Sequence, residues 1–165
     1  MPHSALYDDD ILLWSEQQAE IVRRLGRTRR DLPNEFDVEN VAEEIESVGR
    51  SELAAVENQI QNILVHLIKL ATEPESDAVR HWRSEIFAFH SDLRRRYAPS
   101  MRQRIDFDQI WRMAREQVLL ALPEGTGIAE RLPTLPPLSI DDVLVERIDA
   151  SKLAGILPQA DTSGH

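Results

Sequence analysis

Five glutamates and one histidine, side chains that supply acid, base and metal-ligand groups, lie within residues 41–69 of this chain. Apolar residues recur there at intervals of three and four, which predicts one long amphipathic helix. Carboxylates and a histidine on one side of a helix can form a site with the helix packed against it. The candidate site residues are Glu43, Glu44, Glu46, Arg50, Glu52 and His66.

A row of polar residues runs beside the apolar stripe of this predicted helix. Glu52, Gln59 and His66 are spaced by seven residues and so lie on one side, together with Glu44. One interpretation is a network of ion pairs with arginines of neighbouring helices, which fixes how the helices pack. The other is a polar interhelical pocket around Glu44, Glu52 and His66 that binds a ligand or performs catalysis. The residues leave both interpretations open and favour the first.

The spacings of known catalytic and metal-binding motifs are missing from the chain. The Glu-x-x-His spacing of di-iron bundles does not follow Glu43, Glu44 or Glu46. The sequence contains no Walker loop, no dinucleotide fingerprint and no Gly-x-Ser-x-Gly elbow. It also contains no cysteine for a thiolate zinc site. We therefore predict no catalytic residue, no metal ligand and no cofactor, and we favour a non-catalytic role over an enzymatic one.

Hydrophobic periodicity predicts an all-α fold. It places four main helices at about residues 8–30, 38–72, 77–97 and 99–122, then a proline-rich connection and a short C-terminal helix. Asp8 or Asp9 is the expected N-cap of the first helix and Asp37 that of the second. Gly49 indicates a bend or break in the second helix, or the close approach of another helix. The length fits one helical domain, residues 1–158, with a disordered tail at 159–165.

Acidic and basic residues are segregated along the chain. Residues 31–57 hold nine acidic residues and one arginine, whereas residues 23–30 hold five arginines and residues 80–104 hold seven. An arginine-rich codon bias with solvated helix faces would supply many arginines but would not segregate them. Because arginine makes rigid bidentate contacts with carboxylates, we expect an ion pair between Glu43, Glu44 or Glu46 and an arginine of the first or third helix.

The overall composition excludes several classes of partner. A net charge of −10 argues against nucleic-acid binding, which depends on neutralising phosphates. The apolar runs are too short to span a membrane, and the first residues lack the features of a signal peptide. The absence of cysteine fits a reducing compartment. We expect a soluble cytoplasmic protein that binds neither nucleic acid nor membrane.

The motifs of the chain resemble the bacterial domain of unknown function 29 family over about residues 5–145. The matching positions are Tyr7-Asp8-x-Asp10, Trp14, Gln18 and Ala19, then Ala42-Glu43-Glu44-Ile45-Glu46-Ser47-x-Gly49-Arg50-Ser51-Glu52, then His66-Leu67-Ile68-Lys69, Pro74, Trp82 and Ile86. The chain departs from the family pattern at Phe89-His90 and at Leu135-Pro136-Pro137. The resemblance implies a helical fold and a bacterial source, and it brings no activity with it.

Two hypotheses for the function follow. The first is a non-catalytic interaction module that binds a protein partner or a second copy of itself. It would use the acidic face of the second helix or the arginine-rich end of the first. The alternative is a ligand-binding or enzymatic bundle with the polar pocket around Glu44, Glu52 and His66.

Overall fold

The computed structural model describes residues 5–159, and within that range the chain forms helices and no strand. The predicted all-α class is confirmed. The elements are α1 (Ala5–Asp9), α2 (Ile11–Thr28), α3 (Val38–Thr72), α4 (Val79–Arg96), a 3-10 helix (Pro99–Arg104), α5 (Phe107–Ala121), α6 (Ile128–Arg131), α7 (Ile140–Val143) and α8 (Ala150–Ile156). No helix in the described range is both long and apolar enough to cross a membrane.

The chain divides into two compact units. The first comprises residues up to Val56 together with Arg96–Ile105, and the second comprises Glu57–Arg95 together with residues from Asp106 onward. The boundary falls inside α3. One helical domain over residues 1–158 therefore remains a prediction. The predicted disordered tail lies outside the described residues except for Gln159, whose amide donates to the carbonyls of residues 154 and 157.

In the first unit, the predicted first helix is interrupted, and its expected N-cap at Asp8 or Asp9 is wrong. Asp10 caps α2 instead, accepting a hydrogen bond from Leu13 N at 3.0 Å. The same buried carboxylate accepts from Ser100 N at 2.9 Å and from Ser100 Oγ at 2.6 Å. Burial acts to raise the pKa of Asp10, but the hydrogen bonds from Ser100 and Leu13 together lower it. One carboxylate thus both starts α2 and holds the 3-10 helix.

The predicted fourth helix, 99–122, is also two elements. Pro99 opens the 3-10 helix, which ends at Arg104, and Asp106 then caps α5 by accepting from Gln109 N at 3.0 Å. An aspartate that bonds a main-chain N–H three residues later starts a new helix and does not continue the old one. The periodicity of the apolar residues did not reveal this restart.

In the second unit, the proline-rich connection 123–138 packs on α5 and contains the short helix α6. The indole of Trp111, fully buried in the core, donates to the Pro133 carbonyl at 3.0 Å. Arg115 donates to the carbonyls of Leu132 and Ala129 at 3.1 and 2.7 Å. These bonds satisfy main-chain groups of a segment that has little regular structure of its own.

His90 holds the chain near the end of α7 against α4 in the second unit. Its Nε2 lies 3.0 Å from the carbonyl oxygen of Val145, and the side chain is buried. Burial lowers the pKa of His90, with the nearby Arg94 acting in the same direction. A neutral imidazole that donates to a carbonyl is a satisfied structural histidine.

Gly49 lies where α2 crosses α3 in the first unit. The helix α3 continues unbroken through this position, so the predicted break is wrong and the predicted close approach is confirmed. A Cβ atom on Gly49 would overlap Ser15 Oγ and lie 3.0 Å from Leu12 Cα. Both neighbours are buried, and the main chain of Leu12 cannot rotate away as a side chain can.

Replacing Gly49 with alanine should lower the free energy of unfolding by about 1–3 kcal/mol, because the added methyl group forces α2 away from α3. The matched control is Gly155→Ala in α8, where an added Cβ meets no atom within 4 Å. That change should be neutral or stabilising by up to about 1 kcal/mol. Urea melts of both variants test this, and a Gly49→Ala protein as stable as the wild type would contradict the close approach.

Candidate functional site

The acidic motif of α3 forms an ion-pair network in the first unit. Arg23, near the end of α2, donates to both carboxylate oxygens of Glu46 at 2.7 and 3.1 Å and to Glu39 at 3.0 Å. A guanidinium nitrogen of Arg23 also lies 3.9 Å from a carboxylate oxygen of Glu43. Arg50 completes the network by donating to Glu43 at 2.5 Å and lying 3.6 Å from Glu46. The predicted ion pair between this motif and an arginine of the first helix is confirmed.

Arg23 is the centre of this network. Hydrogen bonds to Glu46 and Glu39 raise the pKa of Arg23. The hydrogen bond from Arg23 lowers the pKa of Glu46, assisted by the charges of Arg23 and Arg50 against the opposing effect of burial. The positive charges of Arg23 and Arg50 therefore offset most of the negative charge of Glu39, Glu43 and Glu46. Glu44 stands apart, because its side chain is exposed and makes no ion pair with any described residue.

The polar row on α3 meets complementary groups on neighbouring segments. In the first unit, both carboxylate oxygens of Glu52 lie 3.2 Å from one guanidinium nitrogen of Arg96. In the second unit, the amide of Gln59 donates to Asp92 at 2.7 Å. The arginine partners expected for the row are thus found only for Glu52. Gln59 is neutral, and its amide N–H group donates to the carboxylate of Asp92. This contact therefore pairs a donor with an acceptor and not two opposite charges.

His66 is the most enclosed titratable member of the row, with 12% of its side chain exposed. Its Nδ1 lies 2.8 Å from the Asn62 carbonyl oxygen, which only accepts, so Nδ1 carries a hydrogen. Its Nε2 lies 2.5 Å from one oxygen of Glu85, and the other oxygen is 3.3 Å from the exposed His81. The ring of Phe89 packs edge-on against the imidazole at 5.2 Å. The His66 side chain is therefore held by a contact at each ring nitrogen and by the ring of Phe89.

The hydrogen bond from Gln59 to Asp92 and the contact of His66 with Glu85 fix the register of α3 against α4 in the second unit. Going from Gln59 to His66 advances seven residues on α3, and going from Asp92 to Glu85 goes back seven on α4. Such a pairing is possible only between antiparallel helices in one register. One polar atom of the row, Gln59 Oε1, is buried without a hydrogen-bond partner among the residues described.

Each residue of the predicted polar pocket has its own surroundings within its unit. His66 is paired with Glu85, Glu52 with Arg96, and Glu44 is exposed. The cavities in the second unit are lined by other residues. Across residues 5–159, no group of three histidine or acidic side chains has the arrangement of a metal site. Five of the six candidate residues, all except Glu44, form ion pairs or hydrogen bonds within the described part of the fold.

The outer face of α5, defined here as Arg112, Met113, Glu116, Gln117 and Leu120, exposes two large apolar side chains in the second unit. Leu120 is 81% exposed, and Met113, seven residues earlier, is 45% exposed. A cavity of about 470 Å³ lined by Leu119, Leu120 and Arg112 borders this face, and another of about 470 Å³ is lined by Met113 and Leu120. The face therefore offers apolar side chains with concave surface beside them.

Sequence reasoning missed the outer face of α5, although a signal for it is present. The run Val118-Leu119-Leu120-Ala121 places four apolar residues in succession on one helix. Successive residues differ in direction by about 100°, so four of them cannot all face one core. Val118 is buried, whereas Leu120 and Ala121 are exposed.

Comparison with known proteins gives one family and one similar solved structure. A family model described as "Domain of unknown function DUF29" matches residues 6–148. The crystal structure of an alpha-helical protein of unknown function from Rhodospirillum rubrum ATCC 11170 is 35% identical to this chain. The match covers 94% of this chain and 99% of that one, with a TM-score of 0.83. A search of curated proteins finds no match.

Replacing Glu46 with glutamine should lower the melting temperature at neutral pH, because a neutral amide loses the charged pairing with Arg23. The pKa of Glu46 in the folded protein lies below its ordinary value of 4.5. The stabilisation is therefore fully present above that pH and is lost as the pH falls through the folded-state pKa. Thermal melts at decreasing pH should show the wild type and the variant converging in acid.

Glu44→Gln is the matched control for this measurement, since Glu44 is two residues away and unpaired within the described range. It should leave the melting temperature unchanged at every pH. A stability difference for Glu46→Gln that persists in acid would show that the charge of Glu46 is not its cause.

Replacing His66 with alanine should lower the free energy of unfolding by about 1–3 kcal/mol, because a largely enclosed hydrogen-bonding group is removed and its partners stay behind. His81→Ala is the control, since His81 contacts the same carboxylate but is 70% exposed. That change should cost less than about 0.5 kcal/mol. Urea melts at one pH compare the two, and equal losses would contradict a structural role specific to His66.

Proposed function

We propose that this chain, which belongs to the DUF29 family, acts as a non-catalytic protein-interaction module that binds an apolar helix of its partner on the outer face of α5. The observation that carries the proposal is the exposure of Leu120 and Met113 beside two cavities of about 470 Å³ each. Apolar anchors at a spacing of seven residues suit a helix laid into a groove.

The charged surfaces suggested by the sequence are less suited to binding. Arg23 and Arg50 are paired with Glu39, Glu43 and Glu46. Two more arginines at the end of α2 pair locally, Arg27 with Glu20 and Arg29 with Asp31. A partner would have to break these pairs before forming its own, which would cost most of the electrostatic gain. Met113 and Leu120 of the outer face of α5 have no such pairs to break, because exposed apolar side chains give up only water on binding.

A binding role also fits the chemistry of the candidate residues better than catalysis. His66, the side chain best suited to acid–base work, has both ring nitrogens bonded within the fold. A catalytic base must be able to reach a proton on a substrate. Glu44 is accessible but has no partner among the described residues that would tune or orient it.

A displayed library of helical peptides, selected on the wild-type protein, tests the proposal. We expect the selected peptides to carry apolar residues at intervals of three, four and seven. Leu120→Glu should weaken their binding by at least about ten-fold, because a carboxylate replaces the central apolar anchor.

The matched control is Phe87→Glu, which changes a 69% exposed aromatic residue on α4 in the same unit. This variant should bind the selected peptides as the wild type does. Selected peptides that bind wild type and Leu120→Glu equally, with the circular dichroism spectra of both proteins unchanged, would refute the proposed surface.

A further inference from the structure

We infer that the helix bound by the outer face of α5 is the same helix of a second copy of this chain. The two α5 helices lie antiparallel about a two-fold axis, and Met113 of each copy packs on Leu120 of the other. This inference rests on the proposed function, because it names the partner of that surface.

The spacing of the two anchors makes the outer face of α5 complementary to itself. Met113 and Leu120 are two helical turns apart, about 10.5 Å along the axis. When a two-fold axis passes between residues 116 and 117, residue 113 of one helix lies level with residue 120 of the other. The contact between Met113 of one copy and Leu120 of the other is then made twice, once on each side of the axis, as a two-fold interface requires. Leu120 and Met113, both exposed in a single copy, become covered together.

The polar residues of the face are complementary in the same register. Glu116 lies opposite Gln117 of the second copy. The side-chain oxygen of Gln117 already accepts from Gln61 at 3.1 Å, so its N–H groups remain to donate to a carboxylate. In this register the Glu116 carboxylate of one copy does not face the Glu116 carboxylate of the other across the axis.

Arg112 supplies charge complementarity at the two ends of the contact. It lies level with residue 121 of the second copy, where α5 ends. The last turn of α5 contains no basic residue, so the negative end of this helix lacks a cation of its own. The guanidinium of Arg112 donates to Gln109 at 2.8 Å and has further N–H groups to direct at those carbonyls.

The length of α5 and the charge of the chain determine how this dimer behaves. A helix of 15 residues is about 22 Å long, which gives a contact at the small end of specific interfaces. The dimer is therefore weak and concentration-dependent. Each copy carries a net charge of −10, so added salt screens the repulsion between copies and strengthens the apolar contact. Association through paired acidic and arginine-rich surfaces would instead weaken with salt.

The absence of cysteine from the chain allows a direct test of the register. Met113→Cys and Leu120→Cys proteins, one of them carrying a size tag, are mixed and oxidised under mild conditions. Positions 113 and 120 face each other in the antiparallel dimer, whereas like positions are about 10.5 Å apart along the axis, too far for a disulfide. We expect the mixed disulfide to form at least about ten-fold faster than either like pair. Faster like pairs would mean a parallel arrangement and would overturn the inference.

Sedimentation velocity over a range of protein and salt concentrations provides the second measurement. The wild type should dimerise more tightly as salt rises, Leu120→Glu should raise the dissociation constant at least about ten-fold, and Phe87→Glu should leave it unchanged. A wild type that stays monomeric overturns the inference. If it also binds the selected helical peptides through Leu120, the proposed function stands with a different partner. If the wild type stays monomeric and binds none of the selected peptides, both the inference and the proposed function are overturned.

Discussion

The hydrogen-bonding needs of the polar row on α3 constrain the helices around it. A polar group beside the apolar stripe of a helix loses water when a neighbour packs there, and it must find a partner on that neighbour. Gln59 and His66 find theirs in Asp92 and Glu85. Apolar packing alone tolerates sliding by a turn, but a displaced register would leave the partly enclosed Glu85 carboxylate and His66 imidazole without their partners.

A second constraint acts in the first unit, where the close approach at Gly49 brings α2 near enough to α3 for Arg23 to reach Glu46. The two features depend on each other. A helix held farther away by a side chain at position 49 would stretch the guanidinium contacts, and without those contacts the acidic residues of α3 would repel one another. Asp10 adds a fixed point by joining the start of α2 to Ser100.

Most charged groups of the acidic motif on α3 are paired within the fold, and the surface that we propose for binding is instead the outer face of α5. Leu120 there contributes nothing to the core while exposing 81% of its surface. An apolar residue so placed is a cost to solubility unless another surface covers it.

The sequence by itself determined the helical class, the bounds of α3 at 38–72, the N-cap at Asp37 and the pairing of the acidic motif with an arginine of the first or third helix, of which the structure shows the first. These depend on local periodicity, capping chemistry and segregated charge, all of which are properties of neighbouring residues. Only the tertiary structure decided the partners of Gln59 and His66 and which leucine of α5 faces outward. Each of these depends on what lies across the helix from a residue, and contacts between positions distant in the chain are not encoded in the spacing of either segment alone.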